Sequence, residues 1–143
     1  MRIKDVLSAK SSHDVITISP DAGVRELIRL LAEHNIGALI VSADGEGVDG
    51  IVSERDVVRR LGDDTSVLDS TVRDIMTAEV RTCEGDEALT DLMQVMTEHR
   101  IRHVPVLTDG KLTGIISIGD VVKTRIGELE FERDQLDSYV HQT

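Results

Sequence analysis

Two stretches decide the fold: Gly50-Ile51-Val52-Ser53-Glu54-Arg55-Asp56-Val57-Val58 and Gly114-Ile115-Ile116-Ser117-Ile118-Gly119-Asp120-Val121-Val122. Each reads glycine, two branched apolar residues, serine, two variable residues, aspartate and Val-Val. The branched pair has the composition of a buried strand. Ser-x-x-Asp has the spacing of a helix start. Each stretch is therefore a strand running straight into a helix. The first N–H groups of a helix lack internal partners and carry partial positive charge, which attracts phosphate. The serine hydroxyl can donate to a phosphate oxygen, and the aspartate can accept from the two hydroxyls of a ribose. The same spacing is that of a capping box, in which each side chain satisfies the other residue's backbone N–H. Both readings stand at this point.

Working outward, the segments around the two stretches also occur twice, offset by about 65 residues. Ile3-Lys4-Asp5-Val6-Leu7 recurs as Val72-Arg73-Asp74-Ile75-Met76. A short strand, Val15 to Ile18, is echoed by Val80 to Cys83, and the first is preceded by a polar connector of Ser11, Ser12, His13 and Asp14. A helix follows in each copy, with Asp21 and Asp86 as expected N-caps. Val24, Leu27, Ile28 and Leu31 form one apolar face, and Leu89, Leu92, Met93 and Met96 form its counterpart. Both helices close on a His-x-Ile pattern, at His34 and His99. Two strands joined by a Gly- and Asp-bearing turn then lead into the junction, Ala38–Val41 with Val48–Val52 and His103–Leu107 with Lys111–Ile116. The expected class is α+β: two pseudo-twofold-related β-α-β-β-α repeats, 1–62 and 72–126, with an acidic solvated linker at 63–71 and a long helical tail at 127–143. In the tail, Ile126, Leu129, Leu136 and Val140 fall at three- and four-residue steps, with Arg133 where another apolar residue would sit. That pattern fits either a short dimer seam or partial packing on the chain's own body.

Composition narrows the function. The formal charge is −11 over 143 residues, which disfavours nucleic acid and anionic membranes as partners. Phe131 and Tyr139 are the only aromatics, so the core is aliphatic and stacking platforms for single-stranded nucleic acid are missing. A phosphate ligand requires local positive charge, and basic residues do cluster near the junctions: Arg55, Arg59, Arg60, Arg100, Arg102, Lys123 and Arg125. The single cysteine, Cys83, excludes an internal disulfide and reads as a small core residue. With no signal-like or membrane-length apolar run, a cytoplasmic protein is expected. His99 and His103 have a zinc-compatible spacing but lack supporting ligands, and no nucleotide-hydrolase or nucleophile-elbow motif occurs, so no enzyme and no metal are expected.

Three signals recur in order in both copies: the strand threonine, the helix ending in His-x-Ile, and the Gly-apolar-x-Ser-x-x-Asp junction. On these the chain, from about Ile3 to Arg125, resembles a tandem pair of cystathionine-β-synthase-type (CBS) domains, often called a Bateman module. It is similar to the stand-alone bacterial members. The resemblance implies a disc-shaped module with two clefts between the copies, pairing as a homodimer. It also implies an adenosine ligand (AMP, ADP, ATP, NAD(H) or S-adenosylmethionine), with no cofactor required. It places the ribose carboxylate on Asp56 and Asp120, the phosphate-proximal hydroxyl on Ser53 and Ser117, and the strand residue near adenine on Thr17 and Thr82. Arg102-His103-Val104-Pro105 matches the basic, proline-ending stretch of ligand-binding members, whereas Gly37-Ala38-Leu39-Ile40 does not. Arg102 and His103 are expected to strengthen the second junction, while Arg55 offers bidentate phosphate pairing at the first. Which cleft dominates stays open. The expected role is a non-catalytic regulatory sensor of adenine nucleotides; the other reading is a ligand-independent assembly module acting on a partner protein.

Overall fold

The computed structural model describes residues 1–10 and 15–141; the polar connector Ser11 to Asp14 lies outside the described residues. The first copy comprises α1 (Ile3–Ala9), β1 (Thr17–Ile18), α2 (Val24–His34), β2 (Ala38–Val41), β3 (Gly50–Ser53) and α3 (Glu54–Asp63). A 3₁₀ turn, Thr65–Asp69, leads to the second: α4 (Val72–Ile75), β4 (Cys83–Glu84), α5 (Leu89–His99), β5 (His103–Thr108), β6 (Lys111–Ser117) and α6 (Ile118–His141). Each copy forms a three-stranded sheet, β1-β2-β3 or β4-β5-β6, in which the first pair is parallel and the second antiparallel. The expected α+β repeats are thus present, with the first strands shorter than the apolar runs that announce them.

The copies are interleaved. Ile3 and Val6 of α1 are buried with Cys83, Leu89, Leu92, Met96, Val106 and Ile116 of the second copy. Conversely, Val72 and Ile75 of α4 are buried with Val24, Leu27, Leu31, Leu39 and Val52 of the first. Matching backbone bonds hold the exchange: Ile3 N–H donates to Glu87 O (3.0 Å) and Val72 N–H to Ala22 O (2.8 Å). Lys4 N–H donates to Gly85 O and Arg73 N–H to Pro20 O, both at 2.9 Å. A short helix cannot bury an apolar face by itself, so each copy completes the other's core.

This exchange corrects the predicted caps. The two long helices begin after Gly23 and Ala88, not at Asp21 and Asp86. Their first N–H groups are satisfied by backbone from outside their own copy, Val24 N–H by Ser70 O of the linker (2.9 Å) and Leu89 N–H by Met1 O of the first copy (3.0 Å). No side-chain cap is needed, and the two aspartates form exposed ion pairs instead, Asp21 with Arg73 (2.9 Å) and Asp86 with Lys4 (3.2 Å). The acidic linker is solvated at Gly62 to Ser66, but Val67 within it is buried in the first core. The tail continues α6 without a break, and of that helix only Val121 is buried.

Two glycines have a steric reason. A Cβ on Gly50 would meet Thr77 O at 2.7 Å, and one on Gly114 would meet the Leu7 side chain at 2.8 Å. The glycine opening each junction motif therefore lets another segment lie against the strand: the one just after α4 at Gly50, and α1 itself at Gly114. At Ile51 this contact is a two-bond bridge with Thr77, 2.9 Å in each direction.

Candidate functional site

At the first junction β3 ends in Ser53, whose Oγ accepts from Asp56 N–H at 3.3 Å. Asp56 Oδ2 accepts from Ser53 N–H (2.8 Å) and from Ser53 Oγ (3.1 Å). The capping box is therefore fully formed, and Glu54 N–H is also used, donating to Gly37 O at 3.0 Å. With those N–H groups occupied, an anion here depends chiefly on side-chain cations.

Those cations come mainly from the second copy. A cleft of about 500 Å³ opens over this junction, within the roughly 300–1,000 Å³ of small-molecule sites. From the first copy it is lined by Ser53, Glu54, Arg55 and Asp56, with Gly37, Ala38 and Ile51. From the second copy it takes Thr77 to Arg81 (Ala78 excepted) and His99 to His103. Four arginines, Arg55, Arg81, Arg100 and Arg102, face three carboxylates, Glu54, Asp56 and Glu79. An acidic chain has thus gathered a local cationic excess beside a carboxylate positioned at a helix start.

Of the residues singled out in the sequence, Ser53, Arg55, Asp56, Arg102 and His103 line this one cleft. Arg102 and His103 also adjoin the second junction through the main chain: Ile118 N–H donates to Arg102 O (2.8 Å), and His103 is in register with Ser117. Val104 and Pro105 are buried in β5. Thr17 lies in β1 opposite Ile40, and Thr82 is exposed, one residue before β4. Sequence reasoning missed Arg81 and the Thr77–Val80 lining, because their place depends on the exchange of α4. Arg100 has φ 54°, a left-handed conformation matched by Asn35 (φ 50°) at the end of α2.

The second junction repeats the box, with Ser117 N–H donating to Asp120 Oδ2 (2.9 Å) and Asp120 N–H to Ser117 Oγ (3.1 Å). It differs in one cation. Lys10 Nζ lies 3.0 Å from Asp120 Oδ2 and 2.9 Å from Ile115 O, and both side chains are less than a third exposed. Burial raises the Asp120 pKa, but the Ser117 N–H bond and the Lys10 ammonium outweigh it and hold the carboxyl below its ordinary value. Burial likewise pushes the His103 imidazole below the ordinary histidine value, against the opposing pull of Asp120. Cys83 is buried, its Sγ directed at Pro105 O (3.7 Å) and its pKa pushed up to about 12 by desolvation, as fits an inert core thiol. A separate hollow of about 520 Å³ lies between α1 and α6, bordered by Val6, Lys10, Asp120, Gly127 and Phe131. Among the described residues no cluster of metal-ligating side chains occurs, and no helix is long and apolar enough to cross a membrane.

The doubled sheet-and-helix unit, exchanged at its leading helices and with a cleft between copies, defines a two-repeat module. The chain belongs to the CBS domain family, matching it over residues 3–63 and 72–127. It is 34% identical to the mitochondrial CBS domain-containing protein CBSX3 of Arabidopsis thaliana, over 96% of this chain and 71% of that protein. The CBS-domain containing protein ATU1752 from Agrobacterium tumefaciens shares the fold with a TM-score of 0.81 and 42% identity, covering 87% of this chain and 99% of that one. The CBS domain pair of protein MJ0100, solved with 5′-methylthioadenosine and S-adenosyl-L-methionine, aligns with a TM-score of 0.77 and 26% identity, over 87% and 98% of the respective chains.

Proposed function

We propose that this chain is a non-catalytic regulatory module that binds an adenosine compound (AMP, ADP, ATP, NAD(H) or S-adenosylmethionine) in the cleft over the first junction. The observation that carries the reading is the convergence of Ser53 and Asp56 with Arg55, Arg81, Arg100 and Arg102 around one cavity. Asp56 accepts from the ribose hydroxyls, and the arginines take the phosphate or carboxylate of the ligand. Ile51, Val80 and Ile101 supply apolar surface for the base. The methylthioadenosine and S-adenosylmethionine bound to the MJ0100 pair support an adenosine-type ligand. Ligand touching both copies favours one arrangement of the two, by its differential affinity for the alternatives, and a partner protein reads the result. The second junction is the weaker site because Lys10 already engages its carboxylate.

Thermal shift against a panel of adenosine compounds tests this. A ligand at a hundredfold excess over its Kd stabilises by about 2.7 kcal/mol. Asp56→Asn is expected to abolish that gain and Asp120→Asn to keep most of it. Equal binding by wild type and Asp56→Asn overturns the assignment. The exposed apolar face of α6 supports assembly of the chain as a second reading, compatible with the first.

A further inference from the structure

The first turns of α6 pack on the body through Val121, while an adjoining face stands clear. Val122, Ile126 and Leu129 are 49%, 51% and 49% exposed, and Leu136 is 66% exposed. With Arg133 they fall at alternating four- and three-residue steps, the d and a positions of a heptad. The flanking e and g positions are segregated by charge: Lys123 and Arg125 come first, then Glu130, Glu132 and Asp137.

That segregation fixes the partner and its direction. In a parallel pair, Arg133 would face the partner's Arg133 across the seam, and Glu132 would lie beside the partner's Asp137. In an antiparallel pair centred between Gly127 and Glu128, Lys123 meets the partner's Glu130 and Arg125 meets the partner's Glu132, each twice by symmetry. Ile126 then packs on the partner's Leu129, and Arg133 lies at the edge beside the partner's Val122. Opposed helix dipoles add to the preference. Arg125 already holds Glu128 of its own helix at 2.8 Å, and its remaining guanidinium N–H groups are available to the partner's Glu132. We propose that α6 pairs antiparallel with α6 of a second copy of this chain, in the register that sets its basic first turns against the acidic middle of its partner. The proposal rests on the assembly reading and is independent of nucleotide binding.

Disulfide trapping on the full chain tests it. Oxidising Val122→Cys mixed with Arg133→Cys is expected to yield the mixed dimer. Each variant alone is expected to stay uncrosslinked, because like positions in this register lie about 16 Å apart along the axis at 1.5 Å per residue. Both positions are exposed, and the wild type, whose Cys83 is buried, is the control. Lys123→Glu with Arg125→Glu is expected to weaken dimerisation about tenfold or more, and adding Glu130→Lys with Glu132→Arg to restore it. Crosslinking of each variant alone at the rate of the mixture overturns the antiparallel register and leaves assembly standing. A monomeric mass for the wild type by sedimentation at sub-millimolar concentration overturns the register and the assembly reading together.

Discussion

Arg100 holds a left-handed backbone conformation, φ 54°, at the end of α5. Such a conformation costs a non-glycine residue roughly 1–2 kcal/mol. The equivalent Asn35 tolerates it better, through its short polar side chain. Arg100→Gly is therefore expected to raise stability by about 0.5–1 kcal/mol in denaturant unfolding while weakening ligand affinity, since the side chain lines the cleft. A stabilised variant with unchanged affinity would separate Arg100 from the site. His103 gives a pH signature. Its folded-state pKa lies below the ordinary 6.5 because of burial, so the unfolded chain takes up the proton first. Stability is expected to fall as pH drops below about 6.5 and to level off once the folded state also protonates. Anion affinity should rise at lower pH still, as the folded state itself takes up the proton and the cleft gains charge. His103→Gln should flatten both trends, and an unchanged affinity profile in that variant would remove His103 from the site.

Among the elements, the exchanged helices carry the most consequence. Ile3 is fully buried in the second core although it belongs to the first copy by sequence. Ile3→Ala is expected to cost about 2–5 kcal/mol. Native-state hydrogen exchange should show the loss in α5 and β5 ahead of α2. Equal loss in both cores would mean that the two unfold as one unit. The junction glycines divide in the same spirit. Gly50→Ala drives a Cβ into the Thr77 carbonyl, part of a backbone bridge, and is expected to cost about 1–3 kcal/mol. Gly114→Ala meets the movable end of Leu7 and should cost less. The hairpins differ too: Asp109 and Gly110 both have positive φ and close β5–β6 as a tight turn, whereas β2–β3 is joined by a longer loop built on Asp44.

For the whole molecule, the decisive feature is that two copies of one motif have become unequal. The first junction looks into a cleft rich in arginine, and the second is bridged by Lys10. Titration calorimetry is expected to return one adenosine ligand per chain, and Lys10→Met to raise this toward two. The same variant should lower stability at neutral pH by roughly 1–2 kcal/mol, since it removes a charged hydrogen-bond partner from a half-buried carboxylate. Asp120 has a depressed folded-state pKa, so this contribution is present above its ordinary value of 3.8 and disappears as pH falls through the folded value. The wild-type and Lys10→Met unfolding curves should therefore converge in acid.

The repeat, the succession of helices and strands within each copy, the junction motif and its serine–aspartate pair were all legible in the residues, because periodicity, turn chemistry and cap spacing are local properties. So was the three- and four-residue spacing of Ile126, Leu129 and Leu136 along α6, which needs nothing beyond the chain itself. The starts of α2 and α5 were not, because backbone from outside their own copy, remote in the chain, satisfies the groups that a local side chain would otherwise cap. Nor was the grouping of Arg81, Arg100 and Arg102 with Ser53 and Asp56, or the capture of Asp120 by Lys10. Those depend on each copy lending its leading helix to its neighbour, an exchange that is visible only in the packed aliphatic cores, where residues remote in the chain are buried together.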